Sequence, residues 1–262
     1  MLQPAVARPC TIAFGDCLDV LRDLPDGVAT MAYLDPPFNT GRAQVRGAHA
    51  YTDDFEDYWA FLSPRLEEVR RVLAEDGTLY LHLDWREAHY AKVALDRLFG
   101  RDRFLNEIIW AYDFGARTKR RWPTKHDTIL VYVKDPRRYW FDAESVDREP
   151  YMAPGLVGPE KTARGKLPTD VWWHTIVPTT GREKTGYPTQ KPLGILRRMI
   201  AASTRPGDLV LDPFAGSGTA GVAALELGRR AFLIDSNPAA IDVMRSRLEG
   251  VRRAIGGRGR GR

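Results

Sequence analysis

The stretch Leu34-Asp35-Pro36-Pro37-Phe38 decides how this chain is interpreted. It follows an apolar run, residues 28–34, that is typical of a buried strand. Neither proline has an N–H for a central sheet ladder, so the strand is expected to stop at Asp35. A carboxylate, a rigid turn and an aromatic ring are thereby predicted at a strand's carboxyl end, where open α/β sheets bind ligands. They suit a planar group that carries an NH2, although a plain strand-ending turn with a solvated Asp35 is the alternative.

The composition indicates one α/β domain with an insertion, or two small domains. The chain has 262 residues, of which 44% are hydrophobic, enough for a sizeable core. Two cysteines, Cys10 and Cys17, are too few for a disulfide framework or the usual zinc site, so no metal is expected. No apolar run approaches about 18 residues, and no signal peptide is recognisable. We therefore expect a soluble, cytoplasmic protein without membrane contact.

The net charge of +5 has its source at the C-terminus. Residues 252–262 carry five arginines and no acid, and the rest of the chain holds equal numbers of basic and acidic residues. This Arg/Gly-rich stretch is expected to be disordered. It could hold phosphates without sequence preference, or it could be a solubilising tail.

Alternating strands and helices predict a mainly parallel sheet. Strands are expected at 11–14, 28–34, 78–83, 209–211 and 230–234, with helices at 17–24, 58–73, 86–98, 193–203 and from 238. Residues 107–110 and 128–133 are expected to close the first half as a hairpin. The polar segment 39–54 is predicted to be a long loop over the ligand edge. Residues 135–186 lack periodicity and are predicted to be an insertion outside the sheet.

A basic loop lies between the two strands of that hairpin. It contains Trp122 and no acid, and its basic residues are Arg117, Lys119, Arg120, Arg121 and Lys125. Such a cluster with an interleaved aromatic residue favours nucleic-acid binding, with a solvated hairpin tip as the alternative.

The last quarter of the chain predicts a nucleoside site. A buried strand ends in Asp212-Pro213-Phe214-Ala215-Gly216-Ser217-Gly218-Thr219, and the next strand ends at Asp235. Glycines allow a close backbone approach, the following helix faces the ligand, and Asp235 can accept from both ribose hydroxyls. Gly216, Gly218 and Gly221 also satisfy G-x-G-x-x-G, which admits a nicotinamide dehydrogenase as readily as an S-adenosylmethionine enzyme.

Two features favour the S-adenosylmethionine enzyme. Asp212 precedes the glycines, where an acid suits the ammonium of methionine and repels a pyrophosphate. The Asp35 stretch has no use in an NAD-dependent oxidoreductase, and none of the five histidines is a persuasive proton donor for one.

Together these stretches resemble the amino-group DNA methyltransferases. Residues 35–38 resemble their catalytic motif IV, 212–219 their cofactor motif I, 187–192 their motif X, and 125–130 their motif VIII. The catalytic motif precedes the cofactor motif, as in the circularly permuted β class, and the resemblance covers about residues 11 to 249.

The resemblance implies a Rossmann-like α/β fold: a seven-stranded S-adenosylmethionine-dependent methyltransferase sheet, circularly permuted, with a short inserted recognition region. Residues 1–134 would be the catalytic half, 135–186 the target-recognition insertion, 187–250 the cofactor half and 251–262 the basic tail. Double-stranded DNA is the implied substrate, with a homodimer and a restriction endonuclease partner as further expectations.

The resemblance also assigns residues to roles. The catalytic group would be Asp35, Pro36, Pro37 and Phe38, with Phe38 stacking on a flipped base. The cofactor residues would be Asp16 (adenine amine), Asp235 (ribose), Thr189 and Lys191 (near the methionine carboxylate), and also Asp35, Asp212, Phe214, Ala215, Gly216, Ser217, Gly218, Thr219 and Ser236. The basic loop would hold backbone phosphates.

The implied reaction is transfer of a methyl group to the N6 amine of adenine. Asp rather than Ser at position 35 favours adenine, and cytosine N4 is the alternative because its amine is similar. Pro9-Cys10 superficially matches the nucleophile of C5-cytosine enzymes, but it precedes the first strand and lacks a matching context. A DNA-binding protein without activity is a third possibility, which nothing in the chain favours.

Overall fold

We describe the fold from a computed structural model, which covers residues 6–42, 44–46, 49–51, 53–115, 117–178, 180–181 and 183–258. Its strands are β1 (Cys10–Phe14), β2 (Ala29–Leu34), β3 (Gln44–Arg46), β4 (His49–Tyr51), β5 (Leu73–Leu83), β6 (Phe104–Ala111), β7 (His126–Val133), β8 (Val171–Trp173), β9 (Leu209–Asp212) and β10 (Arg230–Asp235). Its α-helices are α1 (Cys17–Arg22), α2 (Tyr58–Val72), α3 (Ala88–Phe99), α4 (Pro159–Arg164), α5 (Leu193–Ser203), α6 (Thr219–Glu226) and α7 (Pro238–Arg258).

One mixed sheet organises these elements. Its strand order is β1-β10-β9-β2-β5-β7-β6-β8, and β3 pairs with β4 in a separate hairpin. Neighbours in the large sheet run parallel except where β7 lies antiparallel between β5 and β6. The mainly parallel sheet and the closing hairpin that the alternation predicts are therefore confirmed.

Helices cover both faces of the sheet because its central strands are apolar on both sides. The core on one face contains residues of α5, α6 and α7, and the core on the other face contains residues of α1, α2 and α3. Side chains of β2 alternate between the two cores, with Tyr33 on the α5 side and Leu34 on the α2 side. All six residues of β2 are buried, as expected of a strand in a doubly covered sheet.

The expectation of seven strands is wrong, because the insertion contributes an eighth. Strand β8 pairs in parallel with β6, matching Trp110 to Trp172, and the Ile109 N–H donates to the Asp170 carbonyl at 2.7 Å. The edge of β6 would otherwise leave backbone groups unpaired, so even a three-residue segment gains hydrogen bonds by joining it. The insertion therefore does not lie wholly outside the sheet.

Two other segments differ from their predictions. The segment 39–54 contains the β3–β4 hairpin, although residues 43, 47, 48 and 52 lie outside the described part of the chain. Helix α7 continues to Arg258, so the disorder expected from residue 251 is wrong for 251–258. Val251 packs against the core and the Arg252 guanidinium donates to the Cys10 carbonyl at 3.0 Å, which holds this turn of helix in place.

Within the described ranges, no helix is long and apolar enough to cross a membrane. The same residues contain no group of three or more His, Cys, Asp and Glu side chains placed to hold a metal ion.

Candidate functional site

Asp35 lies at the end of β2 and is paired with Lys191. The prolines stop β2 at Leu34, and Lys191 stands just before Pro192, the residue at the N-cap position of α5. The Lys191 Nζ atom lies 2.7 Å from Oδ1 and 2.6 Å from Oδ2 of Asp35. These side chains are 10% and 16% exposed, so the pair is largely withdrawn from water. The fold thereby joins two predicted site residues that are 156 residues apart in the chain.

The turn after Asp35 is held rigidly. The Tyr58 hydroxyl donates to the Pro37 carbonyl at 2.7 Å, and the Asn39 N–H donates to Asp53 Oδ1 at 2.7 Å. The Phe38 ring lies below the Lys191 ammonium, 5.0 Å from nitrogen to centroid. One face of the ring is therefore fixed by the protein, as a stacking platform requires.

The glycine turn after β9 has the conformation that its residues predict. Gly216 and Gly218 have φ values of +50° and +73°, the left-handed region that other residues avoid. The Gly216 N–H donates to Asp235 Oδ2 at 2.7 Å, and the Thr219 hydroxyl donates to the Lys191 carbonyl at 3.2 Å. Ser217 and Thr219 hydroxyls lie 3.2 Å apart. This turn thus links β9, β10 and the segment that carries Lys191.

Two buried carboxyl groups flank the turn. Burial raises the pKa of Asp212 well above its ordinary value, and the neighbouring Asp35 adds to the rise while Lys191 and the Phe214 N–H oppose it. Burial also raises the pKa of Asp235, although the N–H groups of residues 216, 236 and 237 lower it in part. A cationic ligand group is electrostatically favoured beside such carboxyls.

Asp16 is fixed by Arg65 at the other end of the site. The Arg65 guanidinium donates to both Asp16 oxygens, at 2.8 and 2.6 Å, and its central carbon lies 4.0 Å from the centroid of the Phe61 ring. Asp16 also caps α1 by accepting from the Leu18 N–H at 2.8 Å. Sequence reasoning did not find Arg65, since nothing local connects α2 to the loop after β1.

Two cavities meet at Asp35 and Lys191. The first, of about 270 Å³, is lined by predicted cofactor residues, including Asp16, Asp35, Phe214, Gly216, Asp235 and Ser236. The second, of about 300 Å³, has the aromatic walls Phe38, Trp110 and Tyr112 and also touches Thr189 and Lys191. Tyr187 lines both cavities. A small space of about 30 Å³ beside Asp35, Asp212, Ala215, Ser217 and Thr219 lies next to them.

The first cavity fits S-adenosyl-L-methionine chemically. Carboxylates of Asp16 and Asp235 can accept from an adenine amine and ribose hydroxyls, and Asp35 and Asp212 suit an ammonium group. A Cβ at Gly216 would stand 3.3 Å from the Tyr187 ring, so a side chain there would crowd the cradle. The donor set and the glycine cradle are both those that this cofactor requires.

A buried polar chain behind Asp35 escaped the sequence analysis. His82 is fully buried, and its ring nitrogens lie 2.8 Å from the Tyr33 hydroxyl and 3.1 Å from Asp127 Oδ2. The Tyr112 hydroxyl donates to Asp127 Oδ1 at 2.9 Å. The available signal was a polar residue at the end of an apolar strand, but the strand register that brings these groups together is not readable from the sequence.

The predicted DNA-binding loop projects from the second cavity. Tyr112 precedes it, and Arg117, Lys119, Arg120 and Arg121 are exposed. Trp122 is 93% exposed, and the Arg121 guanidinium stacks on Trp85 at 5.2 Å. Lys125 is partly buried, donates to the Gly115 carbonyl at 3.0 Å and pairs with Asp113. It therefore differs from the other four in supporting the loop rather than projecting from it.

Another cavity lies away from this site. It has a volume of about 530 Å³ between α5, the sheet and the insertion, and it contains none of the predicted site residues. Cys10 likewise lies away from the two cavities, and burial raises the pKa of its thiol to about 11. A thiol in this state does not suit the nucleophilic role considered for Pro9-Cys10.

Comparison with known proteins connects this geometry to DNA modification. The sequence model of the N6/N4 DNA methylases matches residues 29–246. The chain is 32% identical over 247 residues to DNA adenine methyltransferase YhdJ of Escherichia coli (strain K12), covering 91% of this chain and 82% of that protein. It is also 32% identical over 237 residues to the Type II methyltransferase M.HpaI of Haemophilus parainfluenzae, covering 89% and 72%.

Solved structures share the fold. The M1.HpyAVI–SAM complex superposes with a TM-score of 0.65 at 22% identity, covering 91% of this chain and 98% of that one. The PvuII DNA methyltransferase, described as cytosine-N4-specific, gives a TM-score of 0.69 at 16% identity and covers 92% and 87%. At these identities the likeness establishes the α/β architecture.

Proposed function

This chain belongs to the N6/N4 DNA methylase family, and on that premise we propose that it methylates the exocyclic N6 amine of adenine in double-stranded DNA. The observation that carries the proposal is the position of Asp35 between the two cavities. Its carboxylate lines the cavity that fits the cofactor, and its partner Lys191 lines the aromatic cavity beside Phe38. A methyl donor in one cavity and a planar base in the other would meet at Asp35.

The methyl donor is S-adenosyl-L-methionine, which supplies an activated methyl group on its sulfonium. We assign Asp16 to the adenine amine, Asp235 with Ser236 to the ribose, and Asp35 with Asp212 to the ammonium group. Thr189 and Lys191 lie beside the small space that opens to the glycine turn, where a carboxylate would be electrostatically favoured. Phe214, Ala215, Gly216, Ser217, Gly218 and Thr219 form the backbone cradle.

Asp35 and Pro36 would activate the target amine. The lone pair of an exocyclic amine is shared with its ring, which makes the nitrogen a weak nucleophile. An Asp35 oxygen and the Pro36 carbonyl can each accept a hydrogen bond from one of the two N–H groups of the amine, and these bonds localise the lone pair on nitrogen. Each Asp35 oxygen keeps acceptor capacity beyond its contact with Lys191. The protein therefore acts by positioning and electrostatics, without a covalent enzyme intermediate.

The aromatic cavity supports capture of a flipped base. Phe38 and Trp110 offer flat walls, and Tyr112 and Lys184 offer polar groups at the rim. A base in a duplex must leave the stack to enter such a pocket. The exposed arginines of residues 117–121 would hold the backbone phosphates, and the insertion 135–186 would contribute to sequence reading.

Adenine is our choice of target base for two reasons. Position 35 is Asp, and the E. coli relative is described as an adenine methyltransferase. The alternative, cytosine N4, is favoured by a different observation, the fold likeness to a methyltransferase described as cytosine-N4-specific. Both bases present an amine next to a ring nitrogen acceptor, so one pocket could serve either.

The chain order suits the permuted β class, since Asp35 precedes the cofactor turn by most of the chain. On this view residues 1–134 and 187–250 are two halves of one catalytic domain that flank the 135–186 insertion. We further propose a homodimer, because the insertion is short, and a restriction endonuclease partner in the cell, as the names of the Type II relatives suggest.

A methyl-transfer assay tests the proposal. Purified protein is incubated with isotope-labelled S-adenosyl-L-methionine and unmethylated genomic DNA, and the DNA is digested to nucleosides for mass analysis. Labelled N6-methyladenine is expected. Labelled N4-methylcytosine would instead show that the target base is cytosine. Asp35→Ala should abolish transfer while DNA still binds and S-adenosylhomocysteine binds measurably but more weakly, because Asp35 also faces its ammonium group. Undiminished transfer by that variant would refute the role of Asp35, and a wild-type protein that binds both ligands without transfer would be an inactive binder.

A further inference from the structure

A chain of four polar side chains, three of them buried and Tyr112 partly exposed, lies behind the candidate catalytic carboxylate. It runs from Tyr112 through Asp127 and His82 to Tyr33. Tyr33, His82 and Asp127 are 2%, 0% and 7% exposed. Register explains their meeting, because Leu34 pairs with Leu81 in β2 and β5, which places Asp35 beside His82 one residue later.

The donor and the acceptor in each of these hydrogen bonds can be assigned from the protonation states of Asp127 and Tyr33. Burial tends to raise the pKa of Asp127, but the contact with His82, together with Lys191 and Tyr112, brings it below the ordinary value. Asp127 is therefore an acceptor, so His82 carries its proton on Nε2 and the Tyr112 hydroxyl donates to the other oxygen. Burial, with Asp35, Asp212 and Asp127 nearby, raises the pKa of Tyr33 well above its ordinary value. Tyr33 thus keeps its proton and donates it to His82 Nδ1.

His82 touches two parts of the proposed catalytic group. Its Nδ1 atom lies 3.9 Å from Asp35 Oδ1. Its ring lies 5.7 Å from the Phe38 ring, centroid to centroid, and the Trp110 ring packs edge-on against it at 5.5 Å. The imidazole therefore packs against both the Asp35 carboxylate and the Phe38 ring.

Burying a carboxylate, an imidazole and the Tyr33 hydroxyl is costly unless each is satisfied, and an apolar core would hold the sheet equally well. Here every member has a partner, which is the arrangement that rigidifies a site. The polar chain lies directly against Asp35 and Phe38, and this location favours a role in positioning those two residues over a role in stability alone.

We propose that Asp127, acting through His82, positions Asp35 and Phe38 for methyl transfer, an inference that rests on the proposed function. Asp127 holds the imidazole with its hydrogen on Nε2, so Nδ1 accepts from the Tyr33 hydroxyl and carries no hydrogen that could be donated to Asp35. The Asp35 oxygen is then left to accept a hydrogen of the target amine. In the opposite tautomer, an Nδ1 hydrogen would compete for that oxygen.

The test compares Asp127→Asn with the wild-type chain in single-turnover methyl transfer on unmethylated genomic DNA. Replacing the carboxylate by an amide allows the opposite imidazole tautomer with little change in shape, as in serine-protease triads. We expect the transfer rate to fall about tenfold to a hundredfold, the usual effect of losing a supporting partner. Dissociation constants for S-adenosylhomocysteine and DNA should change less than about threefold, because Asp127 is not assigned to either ligand.

Asp96→Asn is the matched control. Asp96 also accepts from a tyrosine hydroxyl, that of Tyr132 at 2.6 Å, but on α3 away from both cavities. His82→Phe keeps a ring under Phe38 and removes the hydrogen bonds, and it should lose transfer as Asp127→Asn does. Wild-type rates in both Asp127→Asn and His82→Phe would overturn the positioning role alone. Absence of transfer by the wild-type chain would instead overturn the proposed function, and this inference with it.

Discussion

The Lys191 ammonium bridges both oxygens of Asp35, at 2.7 and 2.6 Å, across a separation of 156 residues in the chain. It also opposes the accumulation of negative charge that Asp35 and Asp212 create at one sheet edge, since Lys191 lowers the raised pKa of Asp212. This pair joins the two sequence stretches on which the functional proposal depends. Removing the lysine should therefore affect ligand binding as well as stability.

Lys191→Met should weaken S-adenosylhomocysteine binding more than tenfold, because the cofactor's carboxylate would lose its counter-charge. Breaking so buried a pair is expected to lower the free energy of unfolding by about 3 kcal/mol. Calorimetric titration and denaturant unfolding measure the two effects. Lys92→Met is the control, since its 2.7 Å contact with Asp96 lies on α3. Equal affinities in the wild type and Lys191→Met would remove Lys191 from the cofactor site.

Arg65→Met should weaken S-adenosylhomocysteine binding by about tenfold, since one nitrogen of the Arg65 guanidinium donates to both oxygens of Asp16 and so fixes that carboxylate in place. The measurement is the same titration. Arg71→Met is matched to it, because Arg71 also lies on α2 but binds Asp26, Glu68 and the carbonyls of Leu21 and Leu24. That control should lose stability and keep its affinity. Unchanged S-adenosylhomocysteine affinity in Arg65→Met would show that Asp16 does not depend on Arg65 for ligand binding.

The parts of the site that sequence reasoning anticipated are those where the backbone chemistry is local. Prolines stop β2 at Leu34, and glycines at 216 and 218 take positive φ values. Such features depend on a residue and its immediate neighbours. Asp35, Asp212 and Asp235 could be placed because each ends a recognisable apolar strand.

The missed features depend on contacts between distant segments. His82 meets Asp127 through the antiparallel register of β5 and β7. Asp127 lies in the stretch 125–130 that resembles motif VIII, but nothing in that stretch points to His82. Strand β8 is three residues long, too short for a periodic pattern, and it forms because β6 offers an edge. Helix α7 outlasts its apolar pattern because Arg252 reaches the backbone of β1.

Gly218→Ala should destabilise the protein and lower cofactor affinity. Gly218 has a φ of +73°, which costs an alanine about 1–2 kcal/mol, and its Cβ would stand 2.8 Å from the buried Met244 side chain. Gly228→Ala separates the two causes, because Gly228 has the same φ and no heavy atom within 4 Å of an added Cβ. Thermal unfolding should rank the variants with Gly218→Ala less stable. Equal losses of thermal stability in the two variants would mean that the Met244 side chain moves away from the added methyl group without destabilising the protein.

Both cysteines should resist alkylation in the native protein. Each is 6% exposed, and burial raises the pKa of Cys10 to about 11 and that of Cys17 to about 12. Iodoacetamide at about pH 8 should therefore label them slowly, and denaturant should release both, because the thiolate is the reactive form. Cys17 lines the first cavity, so S-adenosylhomocysteine should slow its labelling further and leave Cys10 unchanged. Mass spectrometry would measure the labelling of each cysteine. If S-adenosylhomocysteine slowed the labelling of Cys10 and not that of Cys17, the ligand would bind elsewhere.

Asp212 should make stability depend on pH in the direction opposite to a salt-bridged acid. Its pKa is raised in the folded state, chiefly by burial, so the native protein holds a proton that the unfolded chain releases above about pH 4. The favourable contribution is complete below the unfolded pKa and is lost as pH rises towards the folded one. Asp212→Asn removes this loss.

The Asp212→Asn variant should therefore match the wild type near pH 4 and exceed it in unfolding free energy near pH 7. Denaturant unfolding across that range measures the difference. The same variant should bind S-adenosylhomocysteine more weakly at pH 7, because a bound ammonium group favours the charged form of the Asp212 carboxyl, which an amide cannot adopt. Greater stability with weaker binding would mark Asp212 as a residue kept for the ligand at the expense of the fold. A variant less stable than the wild type at pH 7 would contradict the raised pKa.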